Sequence, residues 1–302
     1  MVINDTFHTA SFYWLIYDRN SKLTQLANFL LGDHLSHFID GTGLLPVNDA
    51  VVVTSKGLIT AVGPESKVNI PADSKIIDVS GGTILPGFIN AHVHKAYNEK
   101  LLQAWSQAGI TMVRDLAAYP PHSSFDDRDR LNKNVLNARL VAAGPQMTGG
   151  FVPSGYPSPV FVKTARQARA EADRILKEGA DQLKIMLESN WGNQVMSEKV
   201  AKAIVEAAHK LDKKVSAHIS LSRDIKTAIN AGADDLAHMA LNRVPDRLLR
   251  RIVEAGIYWT PTIEVWKGFA KKRFVSDAYL LDNLGRFVKA GGKVALGTDY
   301  AG

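Results

Sequence analysis

From Phe88 onward, short apolar runs alternate with segments of helical periodicity. Eight runs have the length and the β-branched content of strands, and Ala-Gly or Gly-Gly closes most of the intervening helices. The predicted strands are 88–94, 110–114, 139–143, 181–187, 214–218, 234–238, 257–260 and 293–299. The predicted helices are 98–108, 164–178, 197–211, 224–231, 245–255 and 278–290. Alternating βα units in this number favour an α/β fold, a parallel (β/α)8 barrel. A doubly wound open sheet is the runner-up, but no glycine-rich dinucleotide loop follows the first strand.

The chain before Phe88 has a different texture. Residues 1–30 show no clear periodicity and are predicted to be an extension without assigned order. Between residues 31 and 84, β-branched runs alternate with hairpin signals such as Asp40-Gly41 and Lys56-Gly57. We therefore expect a small antiparallel β domain at 31–84, followed by the barrel domain at 85–302.

Composition excludes several classes of protein. The 302 residues are 46% hydrophobic and 22% charged, as in ordinary globular domains, and they contain no cysteine, which excludes disulfides and thiolate metal sites. The net charge of +6 comes from scattered basic residues, so no nucleic-acid partner is expected. No apolar run is long enough for a membrane helix, and no signal peptide is predicted, which makes the cytoplasm the default location.

Six chemically reactive side chains lie at or near the ends of the predicted strands. His92 and His94 close the first strand, where alternate side chains share a face. The other four are Lys184 in the fourth strand, His218 and His238 at the ends of the fifth and sixth, and Asp299 at the end of the eighth. A single strand-end histidine is more often structural. All strand C-termini of a βα barrel open onto one face, however, so these six are predicted to converge. Such nitrogen and oxygen donors suit zinc or a similar divalent ion.

The segments that carry these residues resemble the amidohydrolase superfamily, in particular its branch of imidazolonepropionase-like enzymes and metal-dependent dipeptidases. The matching segments are 39–43, 85–94 (with Pro-Gly-Phe-Ile-Asn-Ala-His-Val-His), 109–115, 183–185 and 296–299, together with the two later strand-end histidines. The similarity runs from about residue 36 to the end of the chain. It implies a TIM-like barrel beside a small composite β-sandwich, and it says little about the substrate.

The resemblance also implies a role for each of the six side chains. His92, His94 and Asp299 would bind one metal ion, and His218 and His238 would bind a second. Lys184 would be carboxylated by carbon dioxide and would bridge the two ions. An ammonium group cannot ligate a cation, whereas a carbamate is an anionic oxygen ligand, and burial favours the neutral amine from which it forms. We therefore expect two divalent ions, with zinc foremost, and an N6-carboxylated Lys184.

The implied reaction is hydrolysis of an amide-type C–N bond in a small molecule: an amide, a cyclic amide, a urea, a carbamate or a dipeptide. A metal-activated water would attack the carbonyl, and Asp299 would act first as general base and then as general acid. Loops that follow the strands are expected to contact the substrate, through Tyr156, Glu188 and Trp191.

Two other functions stay open. A mononuclear deaminase or cyclic-amide hydrolase would hold one ion and leave Lys184 unmodified. An inactive amidohydrolase-like scaffold is the second alternative, because the sequence departs from the family pattern after Asp299. Family members continue with an eighth helix and with strands that complete the sandwich. The barrel predicted here lacks that helix, so we expect the 302-residue chain alone to be poorly stable or to form homo-oligomers. A monodisperse monomer that melts cooperatively would contradict this expectation.

Overall fold

The computed structural model of the protein describes most of the chain from residue 37 onward. The described ranges are 37–55, 57–79, 81–117, 124–150, 159–189, 195–272 and 276–301, together with the backbone of the short strands at 14–17 and 30–31. Two compact units are present. The first comprises the chain up to Ile89 together with Lys100–Met112 and Val135–Ala138, and the second comprises Asn90–Glu99, Val113–Asn134 and Arg139–Gly302. The predicted extension at residues 1–30 lies almost entirely outside the described residues.

The first unit contains two small sheets. Its strands are β1 (Trp14–Tyr17), β2 (Leu30–Leu31), β3 (His37–Phe38), β4 (Val47–Asn48), β5 (Ala50–Ser55), β6 (Leu58–Pro64), β7 (Ile76–Ile77) and β8 (Thr83–Pro86), with a 3₁₀ turn at Glu65–Lys67. The strand orders are β1-β8-β3-β4 and β6-β5-β2-β7. The expected hairpin is present as the antiparallel pair β5–β6. The prediction of an all-antiparallel unit was wrong, because β2 pairs parallel with β7 and β3 pairs parallel with β8. Turn signals report only on strands that follow one another directly in the chain.

The strands after residue 87 include all eight that the sequence predicts. They are β9 (Phe88–Val93), β10 (Ile110–Asp115), β11 (Arg139–Ala142), β12 (Met147–Thr148), β13 (Val160–Phe161), β14 (Gln182–Met186), β15 (Lys214–His218), β16 (Asp235–Ala237), β17 (Tyr258–Thr260) and β18 (Lys293–Val294). Strand pairs β14–β15, β15–β16, β16–β17 and β17–β18 are all parallel. The Asp181 amide donates to the Ala142 carbonyl, which links β14 to β11. A parallel bridge from Val93 to Tyr300 returns the chain after β18 to β9. The hydrogen bonds therefore run around a barrel.

Eight helices are present among the described residues. They are α1 (Glu99–Gln107), α2 (Phe125–Leu131), α3 (Ala165–Lys177), α4 (Glu198–His209), α5 (Ser222–Ala231), α6 (Asp246–Glu254), α7 (Ile263–Lys272) and α8 (Ala278–Lys289). Thr164 and Gln167 form a capping box at the start of α3, and Gly232 ends α5 with φ 86°. The helical periodicity of the sequence did not predict α2, which is short and highly charged, or α7. None of the described helices is long and apolar enough to cross a membrane.

The strand register places the functional residues at one edge of the sheet. The last residues of β14 to β17 are neighbours in the strand register: Met186, His218, Ala237 and Thr260. Every residue of β14 is buried. Two predicted strand ends need correction. His238 and Asp299 lie beyond β16 and β18, with left-handed backbone at φ 74° and 55°. The alternation of apolar residues along a strand does not predict where the strand ends in a left-handed turn, because that turn depends on tertiary contacts made after the strand.

Candidate metal centre

His92, His94 and Asp299 form a compact triangle of ligand atoms. The Nε2 atoms of the two histidines lie 3.2 Å apart, and Oδ1 of Asp299 lies 3.2 Å from the first and 3.0 Å from the second. Ligands about 2.0–2.1 Å from a tetrahedral zinc ion lie about 3.3 Å from one another. The spacing and the donor set therefore fit a divalent ion. The His92 side chain is fully buried, while those of His94 and Asp299 are 14% and 16% exposed, which leaves an approach from solvent.

Backbone and side-chain contacts hold this triangle in place. The amide of Asp299 donates to the His92 carbonyl at 2.8 Å. The Asn90 amide group donates to the Thr298 hydroxyl at 2.8 Å. Buried Asp115 accepts hydrogen bonds from the amides of Ala96 and Ala117, which fixes the turn that follows His94. Asn90, Asp115 and Thr298 are thus supporting residues that the sequence analysis did not single out.

The backbone is strained where the ligands leave the strands. His238, Thr262 and Asp299 all have positive φ, at 74°, 43° and 55°. A non-glycine residue in this region costs about 1–3 kcal/mol and persists only where surrounding contacts enforce it. Thr262 also provides such a contact, since its Oγ1 lies 2.8 Å from Nδ1 of His238. With this backbone conformation, the ring of His238 lies next to the triangle, 4.6 Å from the ring of His92.

His238 and His218 extend the cluster. The ring of His238 lies 4.6 Å from that of His92 and 4.4 Å from that of His218, and its Nδ1 is 3.9 Å from Oδ2 of Asp299. Trp266 on α7 stacks on His238 at 4.6 Å with nearly parallel planes. Burial lowers the pKa of both His92 and His238 well below the usual value, so both rings are neutral, the form that binds metal. The sequence signal that could have predicted α7 is the apolar pair Trp266 and Ala270, four residues apart and both buried in the helix.

Lys184 lies in the middle of β14 and is 1% exposed. It pairs in register with Ser216, two residues before His218. Burial lowers the pKa of Lys184 to about 8, although the negative charges of Asp299 and Asp235 act in the opposite direction. About a tenth of this amine is therefore neutral at pH 7, far more than for an exposed lysine. A neutral buried amine is the form that reacts with carbon dioxide, so the environment suits the modification that the resemblance implies.

A largely buried ion pair lies near Lys184, with 18% of the Arg114 side chain and 6% of the Asp235 side chain exposed. Arg114 on β10 donates to both carboxylate oxygens of Asp235 on β16, at 2.9 Å each, and its Nε donates to the Ala91 carbonyl at 2.7 Å. Ser216 donates to the same carboxylate at 2.7 Å. The sequence showed Arg114 only as part of a matching segment. Its partner is 121 residues away, and only the tertiary structure identifies it.

The residues expected to contact substrate have different outcomes. Tyr156 and Trp191 lie outside the described residues. Glu188, directly after β14, is buried with a 3% exposed side chain, and its Oε2 lies 2.9 Å from Nε2 of His218. The Ser220 hydroxyl donates to the other oxygen of Glu188. The structure therefore places Glu188 against one of the candidate ligands.

Comparison with known proteins shows which family and which proteins this chain resembles. A model of the amidohydrolase family matches residues 83–302. An uncharacterized protein of Mycobacterium tuberculosis is 26% identical over 200 residues, which cover 61% of this chain and 51% of the relative. The enamidase of Eubacterium barkeri is 31% identical over 137 residues, 39% of this chain and 34% of the enzyme. The chain thus spans about half the length of the first curated relatives it matches.

Solved structures share the fold. A prolidase crystallised with N-methylphosphonate-L-proline superposes with a TM-score of 0.74 at 22% identity, covering 91% of this chain and 79% of the prolidase. At this identity the likeness shows a common architecture. The family predicted from the sequence motifs is confirmed.

Proposed function

Because the chain belongs to the amidohydrolase family, we propose that it is a metal-dependent hydrolase of amide-type C–N bonds in small molecules. The observation that carries the proposal is the triangle of His92, His94 and Asp299, whose ligand atoms lie 3.0–3.2 Å apart. Two imidazole nitrogens and a carboxylate oxygen at this spacing suit a divalent cation among them, because each can donate a lone pair to it.

The proposed site holds two divalent ions, with zinc as the expected metal. His92, His94 and Asp299 would hold the first ion, and His218 and His238 would hold the second. Lys184, carboxylated on its amine, would supply oxygen donors to this site. The full burial of Lys184 and its pKa of about 8 support this role. Ions bound there lower the pKa of water and polarise a carbonyl group.

The chain's own residues then handle protons and exclude solvent. Asp299 is 16% exposed and lies at the open side of the triangle, so its carboxylate can take the proton of the attacking water and later pass one to the leaving nitrogen. His92 and His238 stay neutral because they are buried, and they do not compete for that proton. Trp266 covers one face of His238 and shields it from water.

The substrate class follows from the reaction. The enamidase and the prolidase among the similar proteins are named for acting on C–N bonds of small molecules, which supports an amide, a cyclic amide, a urea, a carbamate or a dipeptide as the substrate here. Tyr156 and Trp191 remain proposed contact residues in the loops that follow the strands. The finer architecture is also part of the proposal: a TIM-like barrel and a small N-terminal β-sandwich portion.

One observation favours a second candidate. A different trio could by itself hold one ion: the ligand atoms of His92, His238 and Asp299 all lie within 4.8 Å of one another. A mononuclear deaminase or cyclic-amide hydrolase with unmodified Lys184 would use such a site. The two hypotheses differ in the number of ions bound per chain.

Metal removal and reconstitution tests the proposal. The protein is stripped with a chelator, reloaded with zinc, and assayed against amides, lactams, ureas, carbamates and dipeptides, while mass spectrometry counts the metal. About two ions per chain and hydrolysis that returns only with metal support the binuclear hydrolase. One ion with deamination supports the mononuclear enzyme. No turnover on any substrate by metal-loaded protein would favour an inactive scaffold.

A further inference from the structure

The two histidines proposed for the second ion make different hydrogen bonds with their rings. Nε2 of His218 lies 2.9 Å from Oε2 of Glu188, and both side chains are buried, at 4% and 3% exposure. His238 uses the other nitrogen, since its Nδ1 lies 2.8 Å from the Thr262 hydroxyl. The two rings are 4.4 Å apart. The two neighbouring rings are therefore held by hydrogen bonds at different nitrogens, Nε2 in His218 and Nδ1 in His238.

These contacts decide which nitrogen is left for a metal. A carboxylate can only accept, so the hydrogen bond to Glu188 assigns the proton of His218 to Nε2 and leaves the lone pair on Nδ1. In His238 the hydrogen bond occupies Nδ1, so Nε2 is the nitrogen that remains for a metal ion. A histidine that binds metal commonly donates its second ring N–H to a carboxylate, which fixes the tautomer and makes the ligating nitrogen more basic.

Glu188 is itself held rigidly. The Ser220 hydroxyl donates to its Oε1 and also lies 3.2 Å from Oδ2 of Asp224. Asp224 in turn accepts from the amides of Ser220 and Leu221 at the start of α5. The next residue along from Glu188, Ser189, accepts from Arg223 at 2.7 Å. These bonds join the segment after β14 to the segment after β15, and the carboxylate cannot turn away from His218 without losing its bond from Ser220.

We propose that Glu188 is a positioning residue for the second ion: it holds His218 as the Nε2–H tautomer, so that Nδ1 is the ligating atom. The proposal rests on the proposed binuclear function and deepens it. It also gives Glu188 a role different from the substrate contact expected from sequence alone, and the two roles have different consequences for metal binding.

The test compares Glu188→Gln and Glu188→Ala with wild type and with Glu206→Gln. Glutamine keeps the size and one acceptor but loses the charge, and alanine loses both. Glu206 is an exposed carboxylate on α4 that pairs with Arg169, so its variant controls for removing a charge. Chelator competition with cobalt or zinc gives the affinity of each ion. We expect the second ion to bind about 10- to 100-fold more weakly in the Glu188 variants, alanine being worse, with the first ion unchanged.

A readout on the metal-free protein separates this proposal from the proposed function. Long-range ¹H–¹⁵N spectra of protein with ¹⁵N-labelled histidine report the tautomer of each ring, and the His218 signal is the one lost in His218→Asn. We expect His218 in the Nε2–H form in wild type and a mixture of tautomers in Glu188→Ala. Unchanged affinity for both ions with a raised KM would overturn the proposal in favour of substrate contact. Wild type that binds fewer than two ions would overturn the binuclear function, and the tautomer of metal-free His218 would still decide the role of Glu188.

Discussion

Nε2 of His94 lies 3.0 Å from Oδ1 of Asp299, although the two residues follow the first and the last strands of the barrel. The contact exists because the chain after β18 returns to β9, where the Tyr300 carbonyl accepts from the His94 amide and the His92 carbonyl accepts from the Asp299 amide. Barrel closure thus completes the ligand triangle, in which the carboxylate of Asp299 is 16% exposed.

Asp299→Asn tests the proton-transfer role. Asparagine keeps the shape of the side chain but cannot take up a proton, so kcat should fall about 10²- to 10⁴-fold. Metal content, measured on the same samples by mass spectrometry, should stay above that of His92→Ala. Asp246→Asn, at an exposed carboxylate paired with Arg286, is the matched control and should behave as wild type. Near-normal turnover by Asp299→Asn would rule out the assigned role.

Lys184→Met should make the metal-free protein more stable at neutral pH. The folded-state pKa of Lys184 is about 8, against an ordinary lysine pKa of 10.5. The unfolded chain therefore binds the extra proton between these two values, and wild-type stability rises with pH across that window. Below pH 8 the buried ammonium lowers the free energy of unfolding by about 3 kcal/mol, from the pKa difference at 1.36 kcal/mol per unit. Urea unfolding from pH 7 to 10.5 measures this loss of stability.

The variant should therefore exceed wild type below pH 8, and the two should converge towards pH 10.5. Lys202→Met, at an exposed position on α4, should leave the pH dependence unchanged. Parallel stability curves for wild type and Lys184→Met would show that Lys184 is not a buried, strained charge.

Asp235→Leu should be strongly destabilising, because it leaves the guanidinium of Arg114 inside the barrel without its carboxylate. Removal of one partner of a fully buried pair costs about 3–5 kcal/mol, and the 18% exposure of the Arg114 side chain makes that figure an upper limit here. The double variant Arg114→Met/Asp235→Leu should recover part of that loss, since no uncompensated charge remains. Urea denaturation of the two single variants and the double variant gives the coupling. Strictly additive losses would mean that the 2.9 Å bidentate pair contributes no coupling energy.

Gly297→Ala should weaken the first metal site. A Cβ at this position would lie 3.0 Å from Cβ of His92 and even closer to the Thr260 side chain, so one of the two must move. We expect at least a tenfold loss of affinity for the first ion, measured by chelator competition, since ligand positions matter at sub-ångström scale. Gly268→Ala is the control: its Cβ would meet nothing within 4 Å, and a helix gains about 0.8–1.0 kcal/mol from the change. Equal metal affinity in both variants would contradict the expected crowding.

Local patterns in the sequence were enough to predict the barrel strands and most of the helices. Hydrophobic runs, glycine stops and caps depend on neighbours along the chain, and this is why seven of the eight strands and six of the eight described helices were predicted close to their observed limits. The eighth strand was predicted to reach Asp299, but β18 ends at Val294. The missed helix α7 has its signal in Trp266 and Ala270, which are buried one turn apart. The parallel pairs β2–β7 and β3–β8 were missed because their partners are distant in the chain.

By itself, the sequence determined which residue types stand at the strand ends, and the family they resemble. Only the tertiary structure decided that His238 and Asp299 leave their strands through left-handed backbone, that Arg114 pairs with Asp235, and that Glu188 meets His218. The physical reason is that periodicity records whether each residue is buried, whereas contacts between side chains on different strands depend on register, barrel closure and the turns that follow each strand.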